Sequence, residues 1–248
     1  MSLIDRLADS DPEVREDALI SLSVKVEPTD QELRALAALL RDDSQRIREE
    51  AARTLQGGAM IDWGTDRVAS VLPAELLLPA LGDRSAEVRQ HVLWVLRHYP
   101  ADDRIRAAAR ALLGDPICVI RVRAAAVLWA LTRDQAAVRP VVDAAICSGD
   151  RDGVVYGCQL LMEFGPAAGD VVPLVWGYLR HPDAGVRVNA AYALFKCCRD
   201  KQVLAEAAAI LEASLADARA PDPLLRYVAY KLRQAAAAEP PLHPTAAE

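Results

Sequence analysis

The chain has 248 residues, of which 52% are hydrophobic but only 5% aromatic, and it carries a formal charge of −6 with a pI near 5.3. An acidic whole argues against duplex binding, which draws its affinity from neutralised phosphates, although a local basic groove can sit within an acidic chain. The sequence has no apolar run long enough to span a bilayer, so no membrane segment is expected.

Ala, Leu, Val and Arg dominate, which favours helix-on-helix packing over a sheet sandwich. The length exceeds that of the usual single-core domain but suits a repeat array. Arg greatly outnumbers Lys, a coding bias that points to a high-GC bacterium. Residues 1–10 carry Asp5, Arg6 and Asp9 and lack the basic start and apolar run of a signal peptide. Five cysteines, no CxxC and no secretion signal fit a reducing, cytoplasmic setting. The adjacent Cys197 and Cys198 read as small residues on a packed helix, with a strained redox switch as the alternative.

In chain order, a short first helix over Leu3 to Ala8 precedes a phrase that then recurs: an Asp-containing turn followed by V-R-x-x-A-x-x-x-L. The copies are Val14-Arg15 with Ala18 and Leu22, Ile47-Arg48 with Ala51 and Leu55, Val88-Arg89 with Val92 and Leu96, and Ile120-Arg121 with Ala124 and Leu128. A degenerate copy at Val154-Val155 has Cys158 and Met162, Val186-Arg187 has Ala190 and Leu194, and Leu225-Arg226 has Ala229 but loses the Leu. In the fourth copy, Val122-Arg123 offers a second register. The spacing of roughly 32 to 41 residues is that of a helix pair with its turns.

Within the phrase the apolar, small and large positions fall at i, i+4 and i+8, one stripe of a helix. Asp11-Pro12, Asp115-Pro116 and Asp222-Pro223 predict a capping carboxylate before a proline at the first helical position, and Ser44, Ser85 and Asp183 can cap the others. The recurring Arg is expected to reach an acidic or carbonyl group of the next repeat, making a ladder along the stack. Partner helices are expected over Asp30 to Leu40, Pro73 to Leu81, Pro100 to Leu113, Asp134 to Cys147, Pro166 to Leu179 and Lys201 to Leu215.

The phrase resembles HEAT repeats of the short bacterial kind, the type also seen in phycobilisome lyases, over residues 1–235. The resemblance implies an all-α, right-handed α-solenoid of about seven two-helix repeats. Most members of the family are protein-binding scaffolds; a minority are enzymes, including chromophore lyases and HEAT-like-repeat alkylpurine DNA glycosylases. The positions that match are core and ladder positions, so no catalytic residue carries over. The glycosylases need a basic groove with tryptophans and a carboxylate, roles for which Trp94, Trp129, Trp176 and Glu163 could be imagined, but the chain's acidity speaks against it.

Two departures from the repeat mark where function is expected. Residues 56–70 form an insertion, read as a loop, whose Asp62 and Trp63 either plug a neighbouring helix or form a lid or contact loop. The second departure is a stripe on the non-core face of the second helices, two, five and nine residues after the ladder Arg. It contains His91, Trp94, His98, Arg123, Tyr156, Glu163, Asn189, Tyr192 and Lys196, a set chemically richer than its first-repeat counterpart of Asp17, Ile20 and Val24.

His91 and His98 stand seven apart, whereas helical metal ligands usually fall three or four apart, and no HExxH, phosphate loop or GxSxG occurs. No metal and no cofactor is expected. Residues 236–248 read as a disordered tail. The reading is a cytoplasmic scaffold that holds a protein or peptide on the concave face of its middle repeats. The alternative is a cofactor-independent enzyme acting on a small molecule or nucleobase in a pocket on the same face, with His91, His98 and Glu163 as acid-base groups.

Overall fold

A computed structural model describes residues 1–61, 63–216 and 222–238. Among these residues all regular structure is helical, in the chain order α1 (Leu3–Leu7), α2 (Pro12–Ser23), α3 (Asp30–Ala38), α4 (Gln45–Ile61), α5 (Thr65–Val71), α6 (Ala74–Leu77), α7 (Ala86–Leu96) and α8 (Asp103–Ala111), then α9 (Cys118–Thr132), α10 (Gln135–Cys147), α11 (Arg151–Phe164), α12 (Val172–Val175), α13 (Ala184–Cys197), α14 (Lys201–Ala216) and α15 (Pro223–Ala237). The fold class is an all-α solenoid. The chain divides into two compact units, residues 1–141 and 142–248. The division falls in α10 beside Pro140, which has no N–H to give to the helix interior.

In the first unit the second helices α2, α4, α7 and α9 pack side by side, and α1, α3, α6 and α8 form the other layer. In the second unit α11, α13 and α15 stack in the same way, and α14 packs along α15. The phrase explains the packing. Apart from half-buried Val14, its stripe is buried in the full copies, as at Ile47, Ala51 and Leu55 (1%, 0% and 0% exposed), and its Ala lets the neighbouring helix approach.

The ladder is present in the first three repeats, where each arginine has two roles, whereas among the described residues Arg121 and Arg187 bond only the carbonyls of their own turns. Arg48 Nη1 donates to the carbonyls of Asp42 (2.9 Å) and Asp43 (3.2 Å) in its own turn, while its Nε donates to Asp83 Oδ2 of the next repeat (2.6 Å). Arg15 repeats this with Asp9 O, Ser10 O and Asp42, and Arg89 with Asp83 O, Arg84 O and Asp115. Each acid is also tied to its own turn: Asp42, Asp83 and Asp115 accept from the backbone N–H two residues on, at 2.8–2.9 Å. In the sixth repeat His181 holds the acid's place, its Nδ1 accepting from the Asp183 N–H (3.1 Å). The arginine of the preceding repeat, Arg151, pairs with Asp183 instead (2.9 Å). Arg151 thereby does the ladder work that the degenerate Val154-Val155 phrase lacks. In the fourth copy Arg121 grips the carbonyls of Asp115 and Pro116, which settles the register at Ile120-Arg121.

The capping expectations hold at Asp11, Ser85, Asp183 and Asp222, each accepting from an N–H of its helix's first turn. At Asp115 they do not. The helix begins later, at Cys118, with Ile117 as its cap residue: Asp115 stands six residues before Arg121, in the place of the ladder acids Asp42 and Asp83, and is held by Arg89 and the Ile117 N–H.

The partner helices are more broken than the sequence suggests. Several end in a 3₁₀ turn, at Leu39–Arg41, Leu78–Gly82, Leu112–Gly114 and Trp176–Arg180, which delivers the chain to the ladder turn. The expected helix over Pro166 to Leu179 is only the single turn α12 flanked by 3₁₀ turns. No helix among the described residues is long and apolar enough to cross a membrane.

Candidate functional site

The insertion between the second and third repeats is not a loop. Gln56 to Ile61 prolong α4, and α5 begins at Thr65. The side chain that decides this is Trp63. It is only 4% exposed, its backbone N–H donates to Gly58 O (2.7 Å), and its Nε1 donates to Lys25 O (2.7 Å). The indole lies over Gly58 in the space where a Cβ would stand. Trp63 is therefore a plug that ties α4 to the turn after α2, and its indole does not face a partner. Asp62 lies outside the described residues, as does residues 239–248 of the expected tail, whereas α15 runs on to Ala237.

The stripe is described unit by unit. In the first unit His91 and Trp94 are half-buried on the outward face of α7, and His98, in the turn just after it, is exposed. The His91 ring reaches across to α4 and hydrogen-bonds Gln56 Oε1 through Nδ1. Burial, with the charges of Arg53 and Arg123 on either side, pushes the His91 pKa below its ordinary 6.5 against the pull of Glu87. The ring is therefore neutral at neutral pH and acts as an oriented polar group rather than a cation. Arg53 of α4 pairs with Glu50 one turn away and with Glu87 of α7 (2.8 Å), which stitches the two helices across the face. Trp94 and His98 pack one turn apart with ring centroids 4.7 Å from each other at 51°. Arg123 of α9 completes the row.

In the second unit Tyr156 is half-buried and Glu163 exposed on α11. On α13 Tyr192 is half-buried and Lys196 exposed, its ammonium 5.7 Å from the Phe195 ring centroid. Asn189 turns back on its own helix and donates to Gly185 O (2.8 Å). Tyr227 and Lys231 of α15 join this face, although the phrase degenerates there. Tyr227 is 48% exposed, carries the Lys231 ammonium 5.6 Å from its ring centroid, and lies close enough to Tyr192 to help burial raise the Tyr192 pKa. The one signal in the sequence is that Lys231 falls five residues after Arg226.

The structure thus brings Arg53, His91 and Arg123 together in one unit, and Tyr192 with Tyr227 in the other. Four concavities stand out elsewhere: three along the ladder turns and one between α14 and α15. None of these four is lined by a residue of the stripe. No group of three or more His, Cys, Asp or Glu side chains suited to a metal ion occurs among the described residues. The adjacent cysteines are packed: both are buried, and Cys197 Sγ donates to Leu161 O (3.2 Å).

No protein-family model matches the chain, and neither does any curated protein. Among solved structures, an engineered protein of a structural-genomics programme is 20% identical over 95% of this chain and 67% of its own, with a TM-score of 0.53. A second engineered protein gives 19% identity, 95% of each chain and a TM-score of 0.45. A designed armadillo repeat protein gives 18% identity over 94% of this chain and 98% of its own, with a TM-score of 0.44. The likeness at 0.53 is one of fold, and it agrees with the helical-repeat architecture read from the sequence.

Proposed function

We propose that the chain is a repeat scaffold, of the short bacterial HEAT type and cytoplasmic, that binds a protein or peptide segment along the outward face of the second helices of its middle repeats. The observation that carries the reading is the row of stitched side chains on α4, α7 and α9. Arg53 with Glu87, His91 with Gln56 and Trp94 with His98 are already held by neighbours, so binding them costs little ordering entropy. Tyr156, Glu163, Asn189, Tyr192 and Lys196 supply the second set. Rows that recur once per repeat suit an extended chain better than a compact ligand. The mixed charge of the face suits a segment carrying both signs around an aromatic anchor. The enzymatic alternative draws no support from the four concavities, which lie away from His91 and Glu163.

The test is selection of binders from a displayed random-peptide library on the full-length chain. Affinities are then measured for Trp94→Ala, His98→Ala and Lys196→Ala, with Arg34→Ala on α3 as control. Losses of about tenfold or more in a face variant, with the control unchanged, support the reading. Peptides whose affinity ignores all three face substitutions would refute it.

A further inference from the structure

The repeats bury their second helices asymmetrically, and the two ends reveal the asymmetry. Four residues after the ladder arginine stand Leu19, Ala52, Leu93 and Ala191, at 0%, 0%, 1% and 0% exposure. In α15 the same position is Tyr230, at 56%. Six residues after the arginine stand Thr54, Val95, Ala193 and Leu232, all buried, whereas Ser21 of α2 is exposed. Among the described residues, the last repeat is exposed on one flank, at Tyr230, and the first on the other, at Ser21. The first flank is therefore where a following repeat stacks, and the second where a preceding one does. At about 100° per residue the ladder arginine lies only about 40° from the first flank, consistent with its reach into the next repeat.

Both ends also leave a ladder partner over. Among the described residues, no carboxylate meets Arg226, the last arginine of the phrase, as none meets the internal Arg121 and Arg187, which bond only carbonyls of their own turns. At the other end Asp9 is built like the ladder acids: its Oδ1 accepts from the Asp11 N–H (2.9 Å), as Asp42 Oδ1 accepts from that of Ser44 (2.9 Å). Among the described residues no arginine reaches the Asp9 carboxylate. Arg226 and Tyr230 line a groove of about 420 Å³ between α14 and α15, with Leu215, Ala229, Arg233 and Ala237. The charges are complementary. Lys231 and Arg226 lie at the tail, where Arg233 neutralises Glu212, and Asp9 and the exposed Asp17 lie at the head.

We propose that copies of this chain associate head to tail, the α14–α15 groove of one copy receiving the α1–α2 pair of the next. Arg226 then donates to Asp9 of the incoming copy, making across the contact a rung like that of Arg15 with Asp42, and Tyr230 is covered as Ala52 and Leu93 are within the chain. The two surfaces differ, so the contact is heterologous and propagates instead of stopping at a symmetric dimer.

The test is sedimentation velocity of the full-length chain over a concentration series at low salt. The expected result is an average mass that climbs past the dimer and falls as salt is added. Arg226→Glu alone and Asp9→Lys alone each sediment as monomers, with unchanged circular dichroism. An equimolar mixture of the two regains association past the dimer, because Arg226 of one variant again meets Asp9 of the other and the two introduced side chains, opposite in charge, meet each other. If Asp9→Lys fails to fold, the exposed Ser21→Lys takes its place at the head. A full-length chain that stays monomeric up to about 1 mM overturns the proposal. So does association that plateaus at a dimer or survives both single substitutions. A chain that associates only after removal of residues 239–248 overturns it as well, by assigning the groove to the chain's own end.

Discussion

Replacing Arg89 by methionine removes the most enclosed rung of the ladder. The Arg89 and Asp115 side chains are 10% and 6% exposed, and the guanidinium makes four hydrogen bonds: two to the Asp115 carboxylate at 3.0 and 3.1 Å, and two to the carbonyls of Asp83 and Arg84 at 2.8 and 3.2 Å. The substitution keeps most of the aliphatic stem but strands a buried carboxylate and two carbonyls. Breaking a buried pair from one side costs about 3–5 kcal/mol, a large share of the roughly 5–15 kcal/mol that holds a domain together. Most of that loss is the desolvation of an unpaired Asp115, so a second substitution, Asp115→Asn, returns a good part of it while keeping the oxygen that accepts from the Ile117 N–H. Urea titration followed by circular dichroism measures both variants. Amide hydrogen exchange shows whether the loss is local to the turn between α8 and α9, since neighbouring repeats can open separately. A loss below about 1 kcal/mol for the single variant, or a double variant no better than the single, would refute the reasoning. Arg151→Met at the exposed Arg151–Asp183 rung is the comparison, and solvent screening makes its loss smaller.

The adjacent glycines of α4 respond in opposite directions. Gly57→Ala meets nothing within 4 Å and stabilises by about 1 kcal/mol, whereas Gly58→Ala drives a methyl into the Trp63 indole and destabilises by about 1–3 kcal/mol, both read from thermal melts. Because the folded His91 resists a proton that the unfolded imidazole takes up near pH 6.5, its contribution is complete above that pH and is lost as the pH falls towards the lowered folded value; His91→Gln flattens the stability profile over that window. Cys158, pushed up to about 12 first by burial and then by neighbouring Cys197, stays unreactive towards a thiol reagent in the native chain, while exposed Cys147 reacts first; a native burst that includes Cys158 contradicts its burial.

The helical repeat and its ladder are legible from the amino-acid sequence because their causes are local. An apolar, small and large residue spaced four apart define a buried stripe, and Asp, Ser or Pro at a fixed offset defines its start, as at Asp11, Ser85, Asp183 and Asp222. The outward positions follow from the same period, so His91, Trp94 and His98 fall on one face from their numbers alone. What the period cannot supply is a partner on another helix. Trp63 is a plug because Lys25 O, 38 residues away, accepts its indole N–H, and the glycines that suggest a loop instead leave room for its ring. His181 holds an acid's place because its Nδ1 accepts the same turn N–H as a carboxylate oxygen, an equivalence of geometry and not of residue type. Asp115 does not cap its helix because it is a ladder acid held by Arg89, 26 residues earlier in the chain, and the cap position falls two residues later, at Ile117. Long-range burial and hydrogen-bond competition decide these positions, and both exist only once the helices are stacked.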